Sequence, residues 1–263
     1  MGLPGEAWLS SGWDCPAAGT VGRGASVEGP VALPGSGTRC DPLARPKSPP
    51  APGPVKYLHA VGADMDLGAV RTFGPTAVTD EPRAAAVLVP VIHRESHPHL
   101  LFTKRADHLQ DHPGQMSFPG GGQEPEDADL AETALREARE EIGLAPSEVD
   151  CVGRIDDIRT VTRYSVRPFV ARIPDRTYEP CDEEVAEIAV LSVADLTDDR
   201  NYESEHRDHP YYGKTRLHYF YVDDYTVWGA TARMLVQFLE LATDWEMPTE
   251  VDRVVDADAE FPT

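Results

Sequence analysis

Three carboxylates stand within five residues of this chain, at Glu137, Glu140 and Glu141. On a helix, positions i, i+3 and i+4 share one face about one turn apart. Like charges that close repel and destabilise a bare helix, and a bound cation reverses that cost. A cluster of hard oxygen ligands suits Mg²⁺ or Mn²⁺, metals that usually work beside substrate phosphates. Just upstream, Gly120, Gly121 and Gly122 allow backbone to come close to a ligand or metal. The plainer reading is a solvated acidic helix face in an acidic protein, and on the charges alone the two readings stand level.

The element that must carry these groups is well marked. Asp129 followed by Glu132 gives a start resembling a capping box. Ala131, Leu135, Ala138 and Ile142 form an apolar stripe on a face other than that of the acids. Glu132 and Arg136 are spaced as a favourable i, i+4 pair. Gly143 is placed to end the helix in a left-handed conformation. A helix over about 129–142 is therefore expected, anchored on one side and open on the other.

Around it the pattern alternates. Residues 84–92 and 100–104 read as strands across a His/Pro/Ser turn, and residues 117–121 lead into the glycine loop. Residues 149–154, 165–173, 185–191 and 216–222 read as further strands, and 193–196 as a helical turn. Residues 228–241 read as an amphipathic helix with Ala232, Leu235, Val236 and Leu239 at core spacing. Mixed strands with one helix between them and one after suggest an α/β/α sandwich.

Residues 1–64 hold 11 of the 21 Gly and 10 of the 24 Pro with no sustained periodicity, so this segment is expected to be disordered. Met65 opens an ordinary domain and is an alternative translation start. The domain is expected over 65–250, with an acidic flexible tail at 251–263. No apolar run approaches the length of a membrane span, and no secretory signal pattern is visible. A cytoplasmic protein is expected on those grounds. Cys15, Cys40, Cys151 and Cys181 are scattered with no C-x-x-C pair, so a reduced set without zinc is the default. His93, His97, His99, His108 and His112 fall in or near loops, where solvated histidines are the ordinary reading.

The net charge is −21. Residues 1–64 are balanced, five Lys/Arg against five Asp/Glu, leaving 19 against 40 in the rest. Such a surface repels nucleic acid and anionic membranes. Extreme acidity with sparse Lys is also one way to stay soluble at high salt, where screening relieves self-repulsion. A halophilic cytoplasm is the expectation that follows.

From Arg136 to Leu144 the chain resembles the second half of the Nudix box, R-E-U-x-E-E-x-G-U, with Ala138 as the first aliphatic position. The first half departs: the box glutamate falls on Ala128, or on Asp127 in a register one residue longer. The upstream segment from Leu101-Phe102-Thr103-Lys104-Arg105-Ala106 to Gln115-Met116-Ser117-Phe118-Pro119-Gly120-Gly121 is similar to a motif of the coenzyme A pyrophosphatase subgroup. Phe102 and Gln110 depart from it. Ile155 to Thr160, Arg167 to Ala171, Glu184 to Ile188 and Trp228 to Ala232 resemble that subgroup too.

The resemblance implies a Nudix-type α/β/α sandwich with a mixed sheet, and metal-dependent hydrolysis of a pyrophosphate linked to a nucleoside. It implies Mg²⁺ or Mn²⁺ on Glu137, Glu140 and Glu141, with the carbonyl of Gly121 or Gly122 as a further ligand. Arg136 would brace a ligating glutamate, with Asp127 as its substitute partner. The general base is a box glutamate, Glu140 or Glu141, or a later-loop residue, Glu184, with Glu183 and Glu187 as rivals. Arg105 and Lys104 are candidate phosphate contacts, and Gln115, Ser117 and Phe118 candidate pocket residues, Phe118 being equally explained by packing. Arg159, Arg163 and Arg167 are candidates for a 3′-phosphate. The implied substrate is coenzyme A or an acyl derivative. The alternatives are ADP-ribose, NADH or a related nucleoside diphosphate derivative, or a non-catalytic nucleotide sensor. A homodimer is left open.

Overall fold

The computed structural model describes residues 65–109, 112–209 and 213–255. The segment expected to be disordered, residues 1–64, lies outside them, as do Gln110 and residues 256–263. Helix α1 (Leu67–Thr72) precedes strands β1 (Arg83–Arg94) and β2 (His97–Arg105). Short strands β3 (Met116–Ser117) and β4 (Gly120–Gly122) lead to helix α2 (Leu130–Ile142). Then come β5 (Asp150–Arg154), β6 (Ile158–Arg159), β7 (Tyr164–Arg172), β8 (Val185–Ser192) and α3 (Val193–Leu196). The described chain ends with β9 (Tyr202–His209), β10 (Gly213–Val222), β11 (Tyr225–Trp228), α4 (Gly229–Ala242) and β12 (Arg253–Val255).

The first sheet is mixed and centred on β1. That strand runs parallel to β7 and antiparallel to β2 and β4. β8 and β3 flank β2, while β5 and β6 pair with β7. A central strand buried on both faces is a near-continuous apolar run, as β1 is. Pro90 survives inside it because of register. β4 pairs with residues 85–87 and β2 with 91–94, so the missing N–H falls in the gap between two partners.

Side-chain alternation gives each face its own core. Ala86, Leu88, Ile92, Leu101, Phe169 and Ala171 face α2, which covers them with Ala131, Ala134, Ala138 and Ile142. Val89, Val91, Leu100, Phe102 and Val170 face the other way, into a core shared with α1 and α4. That is the expected α/β/α layering. The second core also takes in a four-stranded sheet ordered β11-β10-β9-β12. Only β10 of that sheet was anticipated. β9 reads YESEHRDH, and its polar residues hide a strand.

The expected tail does not begin at residue 251. Arg253–Val255 pair in parallel with Glu205–Arg207, and Arg253 donates to Glu205 at 2.9 Å. Cys181 is disulfide-bonded, which corrects the expectation of a fully reduced set. Separation along a chain does not reveal proximity in space. His93, His97, His108 and His112 are exposed. No described helix is long and apolar enough to cross a membrane.

Candidate active site

The helix signals act as expected, with one change. The Asp129 carboxylate accepts from the N–H groups of Ala131 and Glu132 at 2.9 Å. Glu132 reaches back to the N–H of Ala128 at 2.8 Å rather than along the helix to Arg136. Gly143 adopts φ 63 and closes the helix, while the Leu144 N–H donates to the Ala138 carbonyl at 3.2 Å. The stripe holds α2 on the sheet and leaves its acids facing the glycine strand.

Arg136 is instead the hub of the site. Its Nε and Nη2 donate to both oxygens of Asp127, at 3.0 and 3.1 Å. Its Nη1 donates to Glu137 and Glu140, at 3.0 and 3.1 Å, and Nη2 also to the Gly122 carbonyl at 3.0 Å. Asp127 takes a further bond from the Thr133 hydroxyl at 2.9 Å. The one-residue-longer loop thus delivers an aspartate to the arginine, the partner suggested by the shifted register. The bond to Arg136 holds the Asp127 carboxyl down to about 2, and the same pair raises the Arg136 pKa.

Glu137 and Glu141 are less comfortable. Burial raises the Glu137 pKa despite Arg136. Burial, and then the Glu137 carboxylate, push Glu141 up to about 8. Its Oε2 accepts from the Gly120 N–H at 3.2 Å, the bond that opposes the rise. Glu140 is the exposed member. Among the described residues no three acidic, thiol or imidazole groups are gathered ready-made around one point. Arg136 bridges Glu137 and Glu140, while Glu141 turns to Gly120.

The donor set nevertheless fits a hard divalent cation. Three carboxylates lie along the side of α2 next to the glycine strand, and two of them are desolvated enough to favour added positive charge. The glycines make the space. A Cβ on Gly121 would fall 2.3 Å from Glu137 Oε1, and one on Gly120 2.3 Å from the Ala86 carbonyl. The Gly122 carbonyl accepts from Arg136, and Gly121 pairs with Ala86 in the β1–β4 ladder.

The other candidates separate into near and distant groups. Arg105, at the end of β2, pairs with Glu184 at 3.6 Å, and its charge lowers the Glu141 pKa. The Ala106 N–H donates to the Glu184 carbonyl at 2.8 Å, and the Cys181 N–H to the Glu141 carbonyl at 2.9 Å. The loop at 181–184 therefore lies against the end of α2, and Glu184, 56% exposed at its side chain, stands beside Arg105. Lys104 leans to Glu187 at 4.0 Å, and Glu187 also accepts from the Tyr225 hydroxyl. Asp182 was missed by sequence reading, yet its charge is felt at Glu141.

Phe118 is 1% exposed and stacks on Phe102 with centroids 4.8 Å apart, so its ring packs in the core, as the packing alternative has it. Ser117 Oγ lies 3.0 Å from the Thr103 hydroxyl. Arg167 grips the enclosed Asp157 with two bonds, at 3.0 and 2.9 Å, and Arg159 pairs with Asp80 and Glu81. Those two arginines brace the segment before β1. Arg163 sits in the turn before β7 with φ 63.

Comparison with known proteins agrees with this geometry. The NUDIX domain model matches residues 82–212. An uncharacterized Nudix hydrolase NudL from Enterobacter sp. (strain 638) is 38% identical over 157 residues, covering 58% of this chain and 79% of that protein. One from Cronobacter sakazakii (strain ATCC BAA-894) is 39% identical over 156 residues, with the same shares covered. Among solved structures, a NUDIX hydrolase from Alicyclobacillus acidocaldarius aligns with a TM-score of 0.38 at 21% identity, covering 46% of this chain and 83% of that one. With the arginine-braced carboxylate helix facing its glycine strand, and with relatives matched over most of their own length, the chain belongs to the Nudix hydrolase family.

Proposed function

We propose that this Nudix hydrolase cleaves the pyrophosphate bond of coenzyme A or acyl-coenzyme A, giving 3′,5′-ADP and (acyl-)4′-phosphopantetheine. The observation that carries the chemistry is Arg136 holding Glu137 and Glu140 while Glu141 accepts from Gly120, with Gly121 against Glu137. What supports the substrate is the motif running from Leu101 to Gly121, which resembles the coenzyme A pyrophosphatase subgroup and ends at that site.

Glu137, Glu140 and Glu141 would hold Mg²⁺ or Mn²⁺, with the glycine strand beside them. When bound, such an ion neutralises phosphate charge and lowers the pKa of attached water. Arg136, locked by Asp127 and Gly122 O, keeps Glu137 and Glu140 in register, since donors behind a carboxylate fix its direction. Arg105 offers a planar donor fork to a phosphate oxygen, exchanging its partner Glu184 for substrate. The proton of the attacking water goes to a box glutamate or to Glu184, and Arg105 touches both neighbourhoods. Glu187 is the weaker rival because Lys104 and Tyr225 already engage it. The small-molecule substrate, a cytoplasmic location and a halophilic setting complete the proposal.

Product analysis by chromatography tests it, with coenzyme A, ADP-ribose and NADH in parallel in molar KCl with Mg²⁺ or Mn²⁺. Release of 3′,5′-ADP from coenzyme A as the best reaction is expected. Better cleavage of ADP-ribose or NADH would transfer the same chemistry to another nucleoside diphosphate derivative and remove coenzyme A as the substrate.

A further inference from the structure

One neutral side chain of α2 grips the arginine brace from behind. Thr133 stands three, four and seven residues before Arg136, Glu137 and Glu140, so all four share one side of the helix. It is 0% exposed. Its hydroxyl donates to Asp127 Oδ2 at 2.9 Å and lies 3.2 Å from the Asp129 carbonyl. Threonine is a poorer helix former than alanine, and an enclosed hydroxyl is costly unless it is hydrogen-bonded. The bond to Asp127 meets that need and ties the helix to the loop before it.

The arginine that Asp127 holds has no slack. Its Nε and Nη2 take the two Asp127 oxygens, Nη2 also takes the Gly122 carbonyl, and Nη1 takes Glu137 and Glu140. Those bonds use all five N–H donors of a planar group, so it cannot tilt toward one partner without leaving another. Its plane is set by the two-pronged grip on Asp127. Asp127 Oδ2 is fixed in turn by Arg136 at 3.1 Å, by the Glu124 N–H at 2.9 Å and by Thr133 at 2.9 Å. Glu124 belongs to the same loop and moves with it. Apart from Arg136 itself, Thr133 is the side chain by which α2 holds that carboxylate.

We propose that Thr133 is a positioning residue of the hydrolytic site: through Asp127 and Arg136, its hydroxyl sets the direction in which Glu137 and Glu140 face a divalent cation. In taking those carboxylates as ligands of the metal, the assignment rests on the proposed function. Thr133 touches neither metal nor substrate. Its effect travels along three hydrogen bonds in series, from Thr133 to Asp127, Asp127 to Arg136, and Arg136 to the glutamates.

Mn²⁺ titration followed by electron paramagnetic resonance, on the full chain without nucleotide, tests this in the wild type, Thr133→Val and Thr133→Ser. Valine keeps the shape of threonine and lacks the hydroxyl, while serine keeps the hydroxyl and lacks the methyl. Thr133→Val should weaken Mn²⁺ binding about tenfold, the lower end of what a partner behind a metal ligand is worth, and Thr133→Ser should stay within about twofold of wild type. With the nucleotide that the wild type cleaves best, the Mn²⁺ concentration for half-maximal turnover should rise by the same factor in Thr133→Val. KM for that nucleotide should change by less than about twofold, since binding of substrate is not what the hydroxyl serves. A lower melting temperature in Thr133→Val with Mn²⁺ affinity unchanged would make the hydroxyl a structural contact and overturn the assignment. Equal loss of affinity in both variants would also overturn it, because the methyl and not the hydroxyl would then matter. Failure of the proposed function reads differently. A wild type that binds no Mn²⁺ removes the metal site and Thr133's role with it, whereas Mn²⁺ binding with coenzyme A left intact sinks the substrate and keeps the role.

Discussion

At the residue scale, the site turns on one arginine meeting four acceptor groups. Arg136 is only 15% exposed at its side chain, and Asp127 only 3%. A pair that enclosed is strongly destabilised if one partner is removed alone. Glu140 differs, being 45% exposed and held by a single Arg136 bond. Glu140→Gln keeps an acceptor for that bond and removes a charge from the proposed ligand set. Its melting temperature should match the wild type, because exposed substitutions usually change stability by no more than about 0.5 kcal/mol. Turnover should fall by about 100-fold or more, since even outer partners of a metal ligand are worth 10–100-fold. Activity within a few-fold of wild type would mean that Glu140 is not a ligand and would favour the nucleotide-sensor alternative.

At the element scale, α2 and the first sheet were readable because periodicity and caps agree there. Asp129, the alanine stripe and Gly143 all specify the same 13-residue helix. The second sheet was harder to read because its strands lack clean alternation. In β9, Glu205 and Arg207 are buried by pairing with each other, with Tyr219 and with Arg253. Buried charges satisfied in this way look like a loop in sequence. The opposite face of that sheet holds His218, whose Nδ1 lies 2.8 Å from the Tyr202 hydroxyl. Burial, then the charges of Arg216 and Arg233, depress its pKa to about 4 from an ordinary 6.5. The folded state thus resists a proton that the unfolded chain accepts. The stability this contributes is complete above pH 6.5 and is lost as pH falls from 6.5 toward 4. At 1.36 kcal/mol per unit, the loss reaches at most about 3 kcal/mol. Urea unfolding across that range should show a shallower acid decline for His218→Gln, which keeps an acceptor for Tyr202. Parallel curves for variant and wild type would show that His218 does not titrate on unfolding.

At the scale of the whole molecule, charge is the property that no single contact explains. Downstream of residue 64 the chain carries 40 acidic against 19 basic residues. Several of those cations are spent in local pairs: Arg136 with Asp127, Arg167 with Asp157, Arg207 and Arg253 with Glu205. Each such pair leaves the surplus acids facing one another across solvent. Repulsion of this kind weakens the compact state and acts over distances that salt controls, about 10 Å at 0.1 M and about 3 Å at 1 M. It also hinders an anionic substrate approaching an acidic face. Both effects have the same sign, so stability and kcat/KM should rise together as KCl increases from tens of millimolar to molar levels. A neutral solute at matched osmolarity should not reproduce the rise. If melting temperature and kcat/KM instead fall steadily over that range, the acidic surface is not an adaptation to salt. Ion pairs that reach solvent, such as Arg253 with Glu203, would then be the electrostatics that matter for folding, because added salt weakens an exposed pair while it relieves a net charge.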